Sequence, residues 1–194
     1  MNALPAILFA AVLLAINAFF VSAEFALISS RRDRLDALIA QGKTRARTVL
    51  YATEHLSMML AGAQLGITIA SLLLGQVSEP AIALFHAAGM PDNLLHPVSF
   101  AIALALVTVL HIILGEMVPK NIALAGPESV AMLLVPMHMW FVRITRPLIV
   151  LMNWMARVTL RMFGIEQKEE LDSTVDRQQL ATMIRESRSE GLLD

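Results

Sequence analysis

Three long segments of the chain contain no charged residue, and they restrict its fold more than any other feature. The segments are residues 1–23, 55–78 and 93–115, and they are 23, 24 and 23 residues long. A helix that crosses a membrane needs about 20 consecutive apolar residues. Charged residues make up only 16% of the chain, whereas an ordinary soluble domain is about 25% charged. The sequence therefore predicts an all-α membrane protein and excludes a soluble globular enzyme.

The rest of the composition excludes several classes of function. The formal net charge is −1, which argues against a basic nucleic-acid-binding protein. The chain has no cysteine, so disulfides, thiolate nucleophiles and cysteine-ligated zinc are excluded. The sequence contains no GxSxG nucleophile motif, no GxxxxGK(S/T) phosphate-binding loop and no HExxH zinc motif. We therefore expect neither an enzyme nor a nucleic-acid partner.

The charge distribution predicts how the chain is oriented in the membrane. A signal peptide begins with a basic segment, and Met1–Glu24 has no Lys or Arg. Six basic residues follow it within 31–47, opposed only by Asp33 and Asp36. Because cytoplasmic loops are enriched in Lys and Arg, 31–47 is predicted to be cytoplasmic and the N-terminus to be outside. We expect a multi-pass protein of the inner (plasma) membrane with a cytoplasmic C-terminus.

The second and third uncharged segments are predicted to form a helical hairpin. No Lys or Arg occurs over 48–119, and the connection Gln76–Pro97 holds turn-forming Gly and Pro residues. The hairpin therefore has its turn outside, and the third span is predicted at about Val98–Val118.

The remaining apolar stretch is interrupted by Arg143 and Arg146. Its uncharged parts, 129–142 and 147–156, are 14 and 10 residues long, and each is too short to cross a membrane. We predict short helices at the cytoplasmic interface, with tryptophans as interfacial anchors. A fourth, broken or re-entrant span is the alternative.

The composition changes at the end of the chain. Residues 166–194 carry eight acidic and four basic residues, and an apolar helical spacing persists there. We predict a transmembrane domain with interfacial helices over 1–165. The segment 166–194 is predicted to be an acidic cytoplasmic helix that begins a truncated regulatory region.

Polar residues inside the first span are candidate functional groups, because ionisable groups are costly in a membrane. Ser22 and Glu24 end the first apolar run, but residues two apart do not share a helix face. Glu24 alternatively pairs with Arg31 or Arg32 at the inner interface. The Ser22 hydroxyl alternatively bonds to a carbonyl one turn earlier in its own helix.

The second span carries a group of small and polar residues. Gly62 and Gly66 form a pair of small residues that lets helices approach closely and leaves backbone carbonyls accessible to an ion. Gln64 and Thr68 are four residues apart, so their oxygens share a face. Packing alone is the alternative for this group.

The third span contains Glu116, three residues before Pro119. Proline cannot donate to the helix ladder and frees the carbonyl of residue 115, and broken helices with free carbonyls are typical of ion sites in transporters. The alternative is a salt bridge between Glu116 and Lys120. Oxygen ligands of this kind favour Mg²⁺, Ca²⁺ or Na⁺ over Zn²⁺. We expect His111 to be a packing residue, since an α-helix turns it away from Glu116.

Three sequence motifs together resemble a known family. NAFFVSAEFALISSRRDRL, GAQLGITIASLLLG and LGEMVPKNIAL occur in this order. They resemble the transmembrane domain (domain of unknown function 21) of the CorC/CNNM family of magnesium transporters over residues 1–165. The resemblance implies a homodimer in the lipid bilayer, with three spans per protomer, a pair of short intracellular helices and a juxtamembrane helix. It also implies C-terminal CBS-type domains in the full-length protein, which this chain lacks.

The resemblance further implies that the protein exports Mg²⁺ and that Na⁺ entry drives this export. It also implies a Mg²⁺ site between the spans. The family's glutamate corresponds to Glu116 and its serine to Ser22, although many members place that serine at the position of Val21. The second span contributes a polar group, and Ala63 replaces the family's asparagine. The predicted metal site therefore consists of Ser22, Gly62, Gln64, Gly66, Thr68 and Glu116. The alternative function is a non-transporting Mg²⁺-sensing membrane regulator.

Overall fold

The computed structural model describes residues 3–75, 101–102 and 104–164, which are helical and contain no strand. The chain divides into two compact units, Met1–Ile149 and Val150–Asp194, and the contacts described below lie within the first. The helices are α1 (Ala3–Ser29), α2 (Arg32–Ala40), α3 (Thr44–Glu54), α4 (Leu56–Gly75), α5 (Leu104–Ala125) and α6 (Pro127–Met162).

Four of these helices are long and apolar enough to cross a membrane: Ile7–Ser29 within α1, and the whole of α4, α5 and α6. The first two predicted spans are confirmed as helices. The third is also helical, but it continues beyond the predicted end at Val118 to Ala125. The predicted outer turn and the acidic segment 166–194 lie outside the described residues.

The predicted pair of short helices over 129–142 and 147–156 is wrong, because α6 is one continuous helix with Pro136 and Pro147 inside it. Each proline removes a hydrogen bond and would ordinarily kink a helix. Residues buried along one side of α6 extend past both prolines. They recur at intervals of three, four and seven, which keeps them on one helix face. These residues are Ala131, Val135, His138, Val142 and Ile149.

Helix α5 changes its winding where the sequence predicted a break. Residues His111–Met117 form a π-helical segment, and the backbone N–H of Val118 donates to the carbonyl of Ile113 five residues earlier. Because Pro119 has no N–H, the carbonyl of Gly115 cannot receive the usual α-helical bond from residue 119. The chain accommodates the proline by widening the preceding helix, and π-helical turns of this kind are frequent at functional sites.

The basic segment folds into the helices α2 and α3, which pack against each other. Gly42 adopts φ +84° between them. The N–H groups of Gly42 and Lys43 donate to the carbonyls of Ile39 (2.9 Å) and Leu38 (3.1 Å), which is a Schellman motif. Leu35 of α2 is fully buried in the apolar core. This pair supplies the two short helices that the family resemblance implied.

Small residues allow the apolar helices to pack closely. A Cβ atom added to Gly62 would lie 2.5 Å from Cγ2 of Val142 in α6, and one added to Gly66 would collide with the Phe20 ring of α1. The buried His138 side chain reaches across from α6 and donates from Nε2 to the Met59 carbonyl at 2.9 Å. Since lipid supplies no hydrophobic drive between spans, such close contacts stabilise the arrangement.

Candidate cation site

Helices α1, α4 and α5 line an open cavity of about 200 Å³. Its wall contains two carboxylates and several neutral polar groups. The lining residues are Asn17, Val21, Glu24, Phe25, Ile67, Ser71, His111 and Glu116.

The two carboxylates reach the cavity from different helices, Glu24 from α1 and Glu116 from α5. Glu24 is half-buried and accepts a hydrogen bond from the side chain of Gln64 in α4. Glu116 is exposed at the cavity edge. Within residues 3–75 and 104–164, neither carboxylate forms an ion pair. The alternative pairing of Glu24 with Arg31 or Arg32 is therefore not seen.

Lys120 does not neutralise Glu116 in this part of the chain. Its ammonium group lies 4.5 Å from the centre of the Phe25 ring, a cation–π contact with α1. The salt bridge considered from the sequence is therefore not formed among the described residues, and Lys120 leaves the Glu116 carboxyl without an ion-pair partner there.

Two side chains of α1 bind carbonyl groups beside Pro119. The Asn17 amide donates to the Gly115 carbonyl at 3.0 Å, which is the carbonyl that the proline deprives of its helical donor. The Ser22 hydroxyl donates to the carbonyl of Pro119 itself at 3.3 Å. Ser22 therefore bonds to a neighbouring helix and not to its own, and the carbonyl predicted to be free for an ion is partnered.

Asn17 also belongs to a small ring of polar side chains. Its Nδ2 lies 3.1 Å from Nε2 of His111, and its Oδ1 accepts from the Ser71 hydroxyl at 3.3 Å. The Ser71 oxygen is also 3.3 Å from the same histidine nitrogen. The ring joins α1, α4 and α5 at one end of the cavity.

The remaining predicted site residues lie in α4. Thr68 is exposed, and its hydroxyl donates to the carbonyl of Gln64 in its own helix at 2.7 Å. Gly62 and Gly66 are buried against α6 and α1, as the packing alternative expects. Of the six predicted residues, Glu116 lines the cavity directly and Gln64 contacts it through Glu24.

Comparison with known proteins identifies the family. The Cyclin M transmembrane N-terminal domain, CNNM, matches residues 8–194. The chain belongs to the CNNM family. The uncharacterized protein Rv1841c of Mycobacterium tuberculosis is 55% identical over 199 residues, which cover 100% of this chain and 56% of the relative. The UPF0053 protein YhdP of Bacillus subtilis is 40% identical over 186 residues, which cover 93% of this chain and 42% of the relative.

The family assignment confirms the resemblance found in the sequence. The CNNM transmembrane family is of the transporter type and is associated with metal transport in general. This chain spans about half the length of the curated relatives that it matches. It is therefore a membrane protein of a transporter-type family, and the finer activity is a matter for proposal.

Three neutral polar residues that line the cavity of this CNNM domain were not in the predicted site: Asn17, Ser71 and His111. A spacing of seven places Asn17 on the face of Glu24 and Ser71 on the face of Gln64, and this signal was present in the sequence. His111 lies five residues before Glu116, which an α-helix places on different sides. The i→i+5 pattern of a π-helix brings residues five apart closer to one face, and the sequence rules assume an α-helix.

The donor chemistry of the CNNM cavity limits how a metal can bind. Among the described residues, no group of three His, Cys, Asp or Glu side chains is close enough to hold a metal ion. A cation held by Glu24 and Glu116 therefore needs amide, hydroxyl or carbonyl oxygens, or its own water, to complete its shell. Mg²⁺ fits this arrangement because it keeps several waters when bound to one or two carboxylates.

Proposed function

We propose that this protein transports Mg²⁺ across the membrane through the cavity between α1, α4 and α5. The observation that carries the proposal is the convergence of Glu24 and Glu116, from two different helices, on one cavity without an ion-paired cation in the described residues. Two unneutralised carboxylates at membrane depth are costly, so residues of this kind mark ion pathways. Membership of a transporter-type family supports the same conclusion.

The size of the cavity suits a cation that retains part of its water. A cavity of about 200 Å³ has room for several water molecules. Mg²⁺ loses its water reluctantly, and a partly hydrated ion avoids most of that cost. Glu24 and Glu116 supply the charge. Among the neutral groups predicted from the sequence, Gln64 is the proposed donor because it contacts Glu24, whereas Ser22, Thr68, Gly62 and Gly66 have other contacts. The side-chain oxygens of Asn17 and Ser71 line the cavity and are the further candidates.

We further propose that Na⁺ entry drives Mg²⁺ export. Na⁺ also prefers oxygen ligands, so the same carboxylates can hold it on the return step after Mg²⁺ leaves. By the positive-inside rule, the basic segment 31–47 supports a cytoplasmic location for α2 and α3 and an outside location for the N-terminus. The protein in this proposal is a homodimer in the plasma membrane.

The proposal is tested by calorimetric titration of the purified protein with Mg²⁺. Glu116→Gln and Glu24→Gln keep the size of each side chain but remove its charge. We expect each to weaken Mg²⁺ binding by at least about tenfold, since a single charge–ligand interaction at low dielectric exceeds 1.4 kcal/mol. Glu54→Gln is the matched control, because Glu54 is an exposed carboxylate that bonds to Arg32 outside the apolar spans.

Flux measurements then separate transport from sensing. Reconstituted vesicles containing a Mg²⁺-sensitive dye are given an inward or outward Na⁺ gradient. Mg²⁺ movement that follows the Na⁺ gradient and is lost in Glu116→Gln supports the proposal. Binding without flux in the full-length protein favours the Mg²⁺-sensing regulator, and unchanged binding in both variants overturns the proposed site.

A further inference from the structure

One arrangement of hydrogens gives every polar group that the hydrogen-bond ring of Asn17, Ser71 and His111 brings together a partner. Asn17 is 1% exposed, and its Nδ2 uses its two hydrogens for the Gly115 carbonyl and for Nε2 of His111. Rotating the amide by 180° would place Oδ1 against the Gly115 carbonyl, two acceptors facing each other, so this orientation is fixed. Since Nε2 accepts from Asn17, the Ser71 hydrogen goes to Oδ1.

The ring lies at one end of the cavity. Asn17 contacts Ser71, while Glu24 contacts Gln64, so α1 and α4 run in opposite directions. Asn17 lies two turns before Glu24, and Ser71 lies two turns after Gln64. All three members of the ring are therefore displaced from the acidic groups toward the N-terminal end of α1.

We propose that Asn17 is a positioning residue that closes this end of the cavity and holds the π-helical segment of α5 against α1. The contact is specific to the local geometry. A Cβ atom on Gly115 would lie 2.8 Å from Cδ2 of His111 and 3.0 Å from Nδ2 of Asn17, so the amide occupies the space that a side chain at residue 115 would take. The identification of the cavity as a cation path rests on the proposed function, whereas the closure itself does not.

The test measures access to the cavity from each side of the membrane. Because the natural chain has no cysteine, Ile67→Cys introduces a single thiol in the cavity wall. Leu72→Cys places the control thiol on the same helix at a position that is 69% exposed on the outer surface of the protomer. A charged, membrane-impermeant thiol reagent is added from one side at a time to vesicles of known orientation in Mg²⁺-free buffer.

Asn17→Leu keeps the side-chain size but removes both donors. We expect the Ile67→Cys thiol to react about tenfold faster when the reagent is added on the side of the α1 N-terminus. This factor corresponds to a change of about 1.4 kcal/mol in the free-energy difference between the closed and open states. Reaction from the opposite side and at Leu72→Cys should stay unchanged. Thr145→Val is the matched polar control, because the one hydrogen bond of the Thr145 hydroxyl within the described residues goes to the Phe141 carbonyl of its own helix.

Further variants keep the test decisive if Asn17→Leu does not fold. Ser71→Ala should accelerate the reaction on the same side to a smaller extent. His111→Gln supplies an amide oxygen that can accept from Asn17 and should retain slow labelling, whereas His111→Leu should not. Equal labelling in all variants, or an increase from both sides, overturns the inference. If the unmodified protein does not bind Mg²⁺ in the calorimetric titration, the proposed function is overturned, whereas the labelling result still stands.

Discussion

The contact between Gly62 and Val142 yields a prediction whose magnitude follows from the structure. In Gly62→Ala, the new Cβ would lie 2.5 Å from Cγ2 of Val142 and 3.4 Å from Cδ1 of Ile149. Carbon atoms pack at about 3.5–4.0 Å, so α4 and α6 must separate locally by about 1 Å or a side chain must leave its rotamer. Overpacking of this kind costs about 1–3 kcal/mol. We expect Gly62→Ala to reduce the free energy of unfolding by that amount.

Shortening the partner side chain should relieve the clash. Val142→Ala removes the atom that the new Cβ meets, and alone it should cost about 1 kcal/mol through lost packing contacts. The double variant Gly62→Ala/Val142→Ala should therefore be more stable than the sum of the single changes predicts. For residues in direct contact, a coupling energy of about 1–2 kcal/mol is expected.

The assay is the reversible unfolding of purified protein in lipid nanodiscs, run on the two single variants and the double variant. Gly75→Ala is the control in the same helix, since a Cβ there meets no atom of the described residues within 4 Å and stability should stay unchanged. Additive effects of the Gly62 and Val142 changes would refute the packing argument. A loss of Mg²⁺ binding by Gly62→Ala at unchanged stability would assign this glycine to the cation site.

Two further predictions concern the α2–α3 pair outside the spans. Gly42→Ala should destabilise the protein by about 1 kcal/mol, because φ is +84° there, and thermal unfolding should show this with Mg²⁺ affinity unchanged. The Arg31 guanidinium beside Asp33 holds the pKa of that carboxyl below its ordinary value. The ion pair therefore stabilises the folded protein at pH values above the ordinary pKa of Asp. This stabilisation is lost as the pH falls through the lowered pKa of Asp33. Arg31→Gln should raise the pKa of Asp33, which a carboxyl ¹³C titration measures.

The membrane-spanning helices could be predicted because they depend on the length and hydrophobicity of each segment alone. An uncharged run of about 20 residues is a helix in lipid, since backbone groups there have no water to bond. This rule located α1 and α4. It also located α5, but not its end, because Pro119 is tolerated after a widened turn and the helix continues to Ala125.

Helix α6 was mispredicted because its continuity depends on contacts that a local rule does not contain. Pro136 and Pro147, with Arg143 between them, favour interruption when the segment is considered alone. In the fold, Val142 packs against Gly62 of α4, and His138 bonds to the Met59 carbonyl. These contacts hold the residues between the prolines on one continuous helical face.

The candidate site was predictable in part for a similar reason. Glu116 could be selected from one span, because a carboxylate beside a proline is unusual inside a membrane. Its cavity partner Glu24 was considered, but the sequence favoured neither a functional role nor an interfacial ion pair. The role of His111 depends on the π-helical winding, and that winding is visible only in three dimensions.

The same hydrogen bond that stabilises α5 also restricts how α1 can move. A buried carbonyl that loses its donor is costly until another donor, a water molecule or a cation takes its place. Separating α1 from α5 breaks the Asn17–Gly115 bond and the Ser22–Pro119 bond together. Each released carbonyl then needs another partner. A cation in the cavity that Asn17 lines can take such a carbonyl oxygen as a ligand. A cation bound there would therefore lower the cost of separating the two helices, which gives the proposed transport cycle a physical link between ion binding and helix movement.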